Sequence, residues 1–255
     1  MAVDEAILEA VGAGKVRPTL RLYAWVPPCL SLGYAQPLED VDLTALHERN
    51  WDIVRRPTGG RAILHTDELT YSVIGPLNEP RLAGSLLKSY HVLSKALLDA
   101  LHILGTQAQA SPESALPPGT PNQGPVCFEV PSNYEITVDG KKLVGSAQAR
   151  RKEGVLQHGS LPLEGDLGRI TQVLMFSDEQ SRQAAAEHIW QRATTIERAL
   201  GHRVEWQIAA QAFVEAFRRT LNLDILPDEL TQGETLAAEK LVKEKYSQQA
   251  WIAHI

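Results

Sequence analysis

The sequence predicts a protein of the α+β (mixed α/β) class, with a central mixed sheet flanked by helices. Between Leu20 and Leu163, short runs alternate apolar and polar residues as strands do. Between Ser85 and Leu104, apolar residues instead recur three and four apart, which is typical of an amphipathic helix. After about Ser177 the pattern is mainly helical.

The composition is that of an ordinary globular protein. Of 255 residues, 44% are hydrophobic and 22% are charged, and the formal net charge of -6 argues against a general nucleic-acid binder. No window approaches the roughly 18 consecutive apolar residues of a membrane span, and the start "MAVDEAILEA" is acidic where a signal peptide is basic. We therefore expect a cytoplasmic protein that binds neither nucleic acid nor membrane, with Cys29 and Cys127 as free thiols.

The first part of the chain predicts one helix and three strands. Residues 1–10 form the helix, and the strand from Leu20 to Trp25 ends at two prolines. The run "WDIVRR" is a second strand, and Leu69 to Gly75 is a third. The loop that joins them contains Gly59-Gly60, so main chain can approach a ligand there.

The helix from Ser85 to Leu104 is expected to cover the sheet and to end at Gly105. Residues 106–125 are rich in Pro, Gly, Ser and Gln and predict a long irregular loop that leads to Cys127. Such a loop is either functional or a plain surface excursion, and the residues leave both interpretations open.

Asp139-Gly140 lies between two alternating runs and predicts a hairpin with a type I′ turn, because this dipeptide tolerates positive φ angles. That turn places Lys142 opposite Thr137 on the neighbouring strand. The run "GVLQHGSLPL" predicts one more strand.

The C-terminal third is expected to be helical. Ile189 and Ile196 line one stretch, and two phenylalanines with Leu221 line a second. A charged last helix from about Leu230 to Tyr246 suggests a division into a main domain, residues 1–225, and a helical appendage, residues 226–255.

Cys127 is a candidate nucleophile. A free thiol has a pKa near ~8.5, and a nearby ammonium lowers it, which increases the thiolate fraction by up to roughly thirty-fold. Lys142, on a rigid hairpin, is a natural donor of that charge. The alternative, a small buried hydrophobe, stays open from the residues alone.

The segment "RRPTGGRAILH" joins adjacent glycines, which expose amide groups, to the charges of Arg55, Arg56 and Arg61. It matches neither a P-loop nor a dinucleotide fingerprint. His65, at its end, either lines a site or is a satisfied core histidine. The three arginines and a second basic island at residues 141–152 would form a patch for a phosphate or an acidic partner if they meet.

No metal motif is present in the sequence. The eight histidines are scattered, and neither H-E-x-x-H nor C-x-x-C occurs. We therefore expect no metal site.

Several blocks of the sequence together resemble a known family. They are, in order, "MAVDEAIL", "LSLGYAQ", "RRPTGGRAILHTDELTYSV", "CFEVPSNYEITVDGKKLVGSAQARR" and "GVLQHGSLPL", and "KYSQQAW" is similar to the family's closing segment. The pattern, from residue 1 to about Trp251, resembles the lipoate-protein ligase and octanoyltransferase family, which has the biotin/lipoate attachment fold. The resemblance implies a biotin/lipoate protein ligase-like catalytic domain.

Within that family the sequence looks most like the cysteine-dependent octanoyltransferases of lipoic acid biosynthesis. The resemblance implies that Cys127 becomes an acyl-thioester and that Lys142 lowers its pKa. The ATP-using ligases of the family typically have a third glycine where Arg61 stands, and no cysteine that matches Cys127.

The implied reaction moves octanoyl from the phosphopantetheine of acyl carrier protein to Cys127, and then to a lysine of a lipoyl domain. The acceptor would be the glycine cleavage H protein or a 2-oxoacid dehydrogenase E2. The resemblance implies that the reaction needs neither ATP nor a metal ion. We expect the enzyme to be a monomer. The acyl chain would lie between the sheet and the 59–75 segment. The expected substrate-binding residues are Arg55, Arg56, Gly59, Gly60, Arg61, His65, Gly145, Ser146, Ala147 and Gln148.

Three alternatives stay open from the sequence. A lipoyl or octanoyl amidotransferase would use the same cysteine chemistry with a lipoylated protein as donor. An ATP-dependent lipoate-protein ligase would release pyrophosphate. A non-catalytic binder of lipoyl domains would have an unreactive Cys127.

Overall fold

The computed structural model describes residues 1–110 and 135–254. Helices and strands alternate irregularly along the chain, as expected for an α+β protein. In order they are α1 Ala2–Gly12, β1 Thr19–Tyr23, β2 Cys29–Leu32, α2 Leu43–Glu48, β3 Asp52–Arg55, β4 Ile63–His65, β5 Glu68–Gly75, α3 Leu86–Ile103, β6 Gln109–Ala110, β7 Ile136–Val138, β8 Lys141–Arg151, β9 Gly154–Pro162, α4 Glu179–Arg192, α5 Ile196–Leu200, α6 Trp206–Leu221, α7 Gln232–Leu241 and α8 Gln249–Ile252.

The strands form two sheets. The large sheet has the order β1-β5-β9-β8-β7-β6, and the small sheet has the order β3-β2-β4. Every described pairing in the large sheet is antiparallel, whereas β2 pairs parallel with β3 and antiparallel with β4. The predicted α+β class is thus confirmed, but the large sheet is antiparallel in its described pairings rather than mixed.

The main core lies between one face of the large sheet and helices α3 and α6. Leu69 and Tyr71 of β5 point into it, beside Leu97 of α3 and Phe213 of α6. The predicted helix over residues 85–104 is confirmed: Ser85 caps it through its hydroxyl, and Gly105 follows it with a φ of 95°.

The opposite face of β5 meets α1 and the small sheet. Side chains alternate along a strand, so Thr70, Ser72 and Ile74 point away from the main core. Ile74 packs against α1, and Ser72 donates a hydrogen bond to Asp4 of that helix. This arrangement leaves the stretch of the sheet around Thr70 facing the small sheet.

The predicted hairpin is confirmed. Asp139 and Gly140 have φ angles of 50° and 74°, as a type I′ turn requires, and Lys142 pairs with Thr137. The turn chemistry alone specified this register, because a two-residue loop leaves one alignment of the flanking strands.

Three short strands escaped prediction, because two to four residues are too few for a period to be recognised. They are β2, β4 and β6, and β6 replaces the start of the expected irregular loop at 106–125. The rest of that loop, from residue 111 to Cys127, lies outside the described residues.

The helical stretch predicted through Ile189 and Ile196 is two helices. Ala193 forms a bridge with Lys142, and Thr194 donates its amide hydrogen to the Lys142 carbonyl oxygen, so the chain between α4 and α5 is extended. Thr195 then caps α5. Hydrogen bonding to the hairpin thus interrupts the helix.

The C-terminal helices contact the rest of the chain. Lys245 donates to Glu5 of α1 at 2.7 Å, and Trp251 donates to the carbonyl oxygen of Arg55 at 3.0 Å. The division at residues 225 and 226 stays a prediction. Among the described helices, none combines the length and apolar character that crossing a bilayer requires.

Candidate active site

A cavity of about 300 Å³ lies between the two sheets. Its surface is mostly apolar, and its volume is at the lower end of the range for small-ligand sites. The lining residues come from the small sheet, from its glycine loop, from the start of α3 and from strands β5, β8 and β9. They include Ser31, Arg56, Gly59, Gly60, Arg61, Ile63, His65, Thr70, Leu86, Lys142, Gly145, Ser146, Ala147, Gln148, His158, Gly159 and Ser160.

Arg56 holds the glycine loop in shape. Its guanidinium donates to the carbonyl oxygens of Ser31 at 2.9 Å, Gly59 at 3.0 Å and Arg61 at 2.7 Å. Gly33 lies so close to this loop that a Cβ atom there would be 1.8 Å from the Gly60 carbonyl oxygen. The Arg56 side chain and the close approach of Gly33 therefore fix the loop.

Arg55, expected among the substrate-binding residues, is not among the residues that line this cavity. Its side chain is 0% exposed and donates to the carbonyl oxygens of Gly33, Gln36 and Ile252. Its donors hold the chain entering the loop and the C-terminal helix, and its expected part in substrate binding stays a prediction.

The two basic islands present less surface charge than their sequence suggests. Arg55, Arg56 and Lys142 are buried, and Arg150 donates to the Leu82 carbonyl oxygen at 2.9 Å. A sequence shows that positive charges are clustered, but it does not show that main-chain carbonyls will bind them. Charges used in this way cannot attract a partner across the surface.

Strands β8 and β9 form the opposite wall. Gly145 pairs with Ser160, and Ala147 pairs with His158, so these positions share the face toward the cavity. Among the described residues, β7 pairs with β8 only as far as Val144.

The side chains of Ser146 and Gln148, both expected to bind substrate, make contacts within the protein. The Ser146 hydroxyl lies 2.7 Å from the Tyr71 hydroxyl, and Gln148 donates to Gln157 at 2.9 Å. Ser89 of α3 donates to Gln148 at 3.0 Å. Both residues line the cavity, but the Ser146 hydroxyl contacts β5, and the Gln148 amide contacts β9 and α3.

Lys142 lies at one end of the cavity wall and is 4% exposed. Its ammonium nitrogen is 3.1 Å from Oε1 of Glu135, whose side chain is also largely buried. An opposite charge at this distance stabilises the charged lysine. The hairpin and the bridge to Ala193 hold the lysine main chain in place.

A hydrogen-bonded chain crosses the cavity from the small sheet to the large one. His65 Nε2 is 2.7 Å from Ser31 Oγ, and His65 Nδ1 is 2.7 Å from Glu68 Oε1. The hydroxyls of Thr70 and Ser160 donate to Glu68. Both ring nitrogens of His65 thus have hydrogen-bond partners, and the residue also lines the cavity. His65 is therefore a satisfied core histidine and a residue of the site at once.

His158 is buried in the same wall. Its Nε2 is 2.7 Å from the Thr58 hydroxyl, and burial lowers its pKa from 6.5 to about 3. Its Nδ1 has no hydrogen-bond partner among the described residues. The imidazole is therefore neutral at physiological pH.

The two cysteines differ in what the structure describes. Cys127 lies outside the described residues. Cys29 is a buried free thiol in β2, and burial raises its pKa to about 12. Cys29 is therefore a packing residue, and the expectation that it is a free thiol is confirmed.

Sequence reasoning missed several polar residues of the site. They are Ser31, Glu68, Thr70, His158 and Ser160. The one available signal was alternation: in "LQHGSLP", His158 and Ser160 are two apart and interrupt an otherwise apolar strand face. Nothing local marked Ser31, because its partner His65 is 34 residues away.

In the described ranges, no three His, Cys, Asp or Glu side chains are grouped to hold a metal ion.

The fold and the site define a protein with a small, mostly apolar cavity beside a buried lysine. Residues 1–218 match the model of the lipoyl protein ligase A/B catalytic domain, and the chain belongs to that family.

Curated relatives resemble the chain over nearly its whole length. The octanoyltransferase LipM of Moorella thermoacetica is 42% identical over 99% of this chain and 92% of its own. The octanoyltransferase LipM of Brevibacillus brevis is 39% identical over 98% of this chain and 92% of its own.

Solved structures share the fold. The bi-partite lipoate protein ligase of Thermoplasma acidophilum superposes with a TM-score of 0.81 at 25% identity, over 100% of this chain and 91% of that one. A lipoate-protein ligase A bound with ATP gives a TM-score of 0.79 at 25% identity, over 100% and 93%.

Proposed function

We infer that this protein is an octanoyltransferase of protein lipoylation. The observation that carries the inference is the identity of 36–42% with curated octanoyltransferases over at least 98% of the chain. We propose that octanoyl-acyl carrier protein is the donor and that a lysine of a lipoyl domain is the acceptor. Neither ATP nor a metal ion takes part in the proposed reaction.

In the first half-reaction, the Cys127 thiolate attacks the thioester carbonyl carbon of octanoyl-acyl carrier protein. A carbon–sulfur bond forms, the tetrahedral intermediate collapses, and the carrier sulfur leaves as a thiolate that takes up a proton. The cavity supports this step, because its largely apolar walls and small volume suit a medium-length acyl chain.

Lys142 supports the same step through its charge. Its ammonium, held by Glu135 and by the hairpin, is fixed at the cavity wall. A fixed positive charge near a thiol favours the thiolate and so lowers the thiol pKa.

In the second half-reaction, the neutral amine of the acceptor lysine attacks the Cys127 thioester. A carbon–nitrogen bond forms, the amine loses a proton, and the Cys127 thiolate leaves as the amide is made. Both half-reactions pass through an oxyanion. Main-chain amides of Gly145 to Gln148 and of the Gly59-Gly60 loop are the proposed donors, since both segments line the cavity.

We propose that the acceptor is the lipoyl domain of the glycine cleavage H protein or of a 2-oxoacid dehydrogenase E2. We propose that the enzyme works in the cytoplasm, as a monomer, where a reduced thiol persists.

Intact-protein mass spectrometry tests this function. The purified chain and a Cys127→Ala variant are each mixed with octanoyl-acyl carrier protein, and a lipoyl domain is then added. We expect the mass of one octanoyl group on the wild type, none on the variant, and its transfer to the lipoyl domain. A folded wild type that gains no mass would contradict the proposal.

The likeness to ligase structures makes an ATP-dependent ligase the second candidate. It is tested with free lipoate, ATP and a lipoyl domain, where pyrophosphate release would favour it. A lipoylated donor protein in place of acyl carrier protein tests the amidotransferase.

A further inference from the structure

We propose that two exposed lysines of α3, Lys88 and Lys95, beside the mouth of the cavity, form the docking surface for the acyl carrier protein that donates the octanoyl group. This inference rests on the proposed function, because it concerns the donor of that reaction.

The exposed part of the cavity lining shows where the cavity meets solvent. Most of the described lining residues are buried, but Gly59 and Gly60 are exposed, and Leu86 is 44% exposed. The 146–148 segment of β8 is half-buried. The mouth therefore lies between the glycine loop, the start of α3 and this part of β8.

A protein donor has to dock beside this mouth. The cavity has a volume of about 300 Å³, which is far too small for a folded protein. Only the acyl group and the end of its arm can enter, while the carrier itself stays outside. The surface around the mouth is therefore where the carrier makes contact.

The segments that form the mouth contain basic residues and no acidic ones. Residues 53–66, 80–98 and 140–152 contain no Asp or Glu, although the whole chain has 31 of them and a formal net charge of -6. A local excess of one sign of charge beside a site attracts partners of the opposite sign. The chain is acidic in total, yet these three segments favour an anionic partner.

The lysines of α3 are the charges of these segments that face solvent. Arg56 and Lys142 are buried, whereas Lys88 and Lys95 are exposed. The two lysines are seven residues apart, so they lie on one face of the helix about 10 Å from each other along its axis. The ion pairs formed among the described residues include neither of them. Their charges can therefore act on a partner.

The position of Lys88 is unfavourable for the helix itself. Ser85 caps α3, and Lys88 is the third residue of the helix, where a capping box has Glu or Gln. Helix α7 has such a box, with Glu234 at the same position. The positive end of the helix dipole also disfavours a cation in the first turn. Helix stability thus does not explain this lysine, whereas an anionic partner does.

The Lys88 side chain extends toward the start of α3. It lies over Gly84, where an added Cβ atom would be 3.0 Å from Lys88 Cδ. This is the end of the helix that carries Leu86, on the rim of the mouth. Among the described lining residues, Leu86 is the one from α3, so Lys88 can be changed without altering the cavity wall.

The charge of this surface fits the donor better than the acceptor. The phosphopantetheine arm is joined to its carrier by a phosphodiester, which is an anion at neutral pH. The acceptor presents a lysine, which is a cation at neutral pH, because its ordinary pKa is near ~10.4. Exposed lysines beside the mouth attract the first group and repel the second.

The test compares two donors in a Lys88→Glu variant. Formation of the octanoyl-enzyme is timed by mass spectrometry with octanoyl-acyl carrier protein and with octanoyl-pantetheine, which lacks both the phosphate and the protein. We expect the rate constant with the carrier to fall by about tenfold at low salt, and that with octanoyl-pantetheine to stay within about twofold of wild type. At ~0.5 M salt, the loss with the carrier should shrink to about twofold.

The same variant should be more stable than the wild type. Glu at position 88 can complete a capping box with Ser85 and faces the positive end of the helix dipole, so the melting temperature should rise by about 2 °C. A variant that is more stable but slower with the carrier has lost an interaction with the partner, because a folding defect would lower its stability.

Charge variants elsewhere on the surface provide the controls. Lys88→Gln should lie between wild type and Lys88→Glu, and Lys95→Glu should slow acylation by the carrier by about threefold. Lys243 is exposed and lies outside the three segments that form the mouth. Lys243→Glu should therefore match the wild type with both donors.

Several results would overturn the inference. An unchanged rate of Lys88→Glu with the carrier would do so, and so would equal slowing with both donors. Normal acylation with slower discharge to a lipoyl domain would assign the surface to the acceptor instead. A folded wild type that neither donor acylates would overturn the proposed function, and this inference with it.

Discussion

The ammonium nitrogen of Lys142 lies 3.1 Å from a carboxylate oxygen of Glu135, and both side chains are largely buried. The pair sits where the 136–151 hairpin meets the cavity wall. Lys142 carries the charge that is expected to activate a thiol. Its partner Glu135 was not predicted from the sequence.

Replacing Lys142 with Met is expected to slow acylation of Cys127 at neutral pH by up to roughly thirty-fold, because the thiol pKa rises when the ammonium is lost. The pH–rate profile of acylation should move to higher pH. Lys141→Met is the matched control, since Lys141 donates to the Trp190 carbonyl oxygen instead. Coincident profiles for Lys142→Met and wild type would refute the assigned role.

The ion pair should also appear in stability. Lys142→Met or Glu135→Gln alone is expected to lower the free energy of unfolding by about 3 kcal/mol, because each breaks a largely buried pair. The double variant should lose less free energy of unfolding than the two single variants lose together. Urea unfolding of all four proteins gives the coupling, and additive losses would show that the two residues act independently.

The two cysteines should differ in reactivity. Iodoacetamide at neutral pH is expected to modify the folded protein once, at Cys127, because Cys29 is buried and its pKa is raised to about 12. Peptide mapping identifies the site, and Cys29→Ala should be alkylated at the wild-type rate. Modification of Cys29 at a comparable rate, or an inert Cys127, would be inconsistent with these assignments.

The glycine loop gives a steric prediction. Gly33→Ala should destabilise the protein by about 1–3 kcal/mol, since its Cβ would lie 1.8 Å from the Gly60 carbonyl oxygen. Gly59→Ala is the stability control, because among the described residues, its two chain neighbours aside, no heavy atom lies within 4 Å of a Cβ at that position. The melting temperatures should separate the two variants, and equal values would argue against this close approach.

His158 makes the fold sensitive to acid. Its pKa is near 3 in the folded protein, below the ordinary 6.5, so only the unfolded chain binds this proton between those values. Its contribution to stability is complete above about pH 6.5 and is lost as the pH falls, by about 1.4 kcal/mol per unit.

His158→Gln should therefore lose less stability than wild type between about pH 7.5 and about pH 5.5, as measured by urea unfolding. The exposed His202 supplies the control His202→Gln, which should behave like wild type. Parallel losses in His158→Gln and wild type would contradict the low pKa.

Local patterns in the sequence determined the larger elements. Asp139-Gly140 specified both a turn and the pairing of Lys142 with Thr137, and the three- and four-residue spacing after Ser85 specified α3. These features depend on residues a few positions apart, so the sequence contains all that is needed to predict them. The assembled blocks similarly indicated the family, which the match over residues 1–218 confirms.

Tertiary structure alone decided what the charged and polar residues do. Arg55 and Arg56 are similar in sequence, yet Arg55 supports the C-terminal helix and Arg56 lines the cavity, because the carbonyl groups they meet come from distant segments. The chain from Ser31 through His65 to Glu68 forms only when β2, β4 and β5 come together. Hydrogen-bond partners and burial, which set protonation states, depend on such long-range contacts, and no local period of the sequence records them.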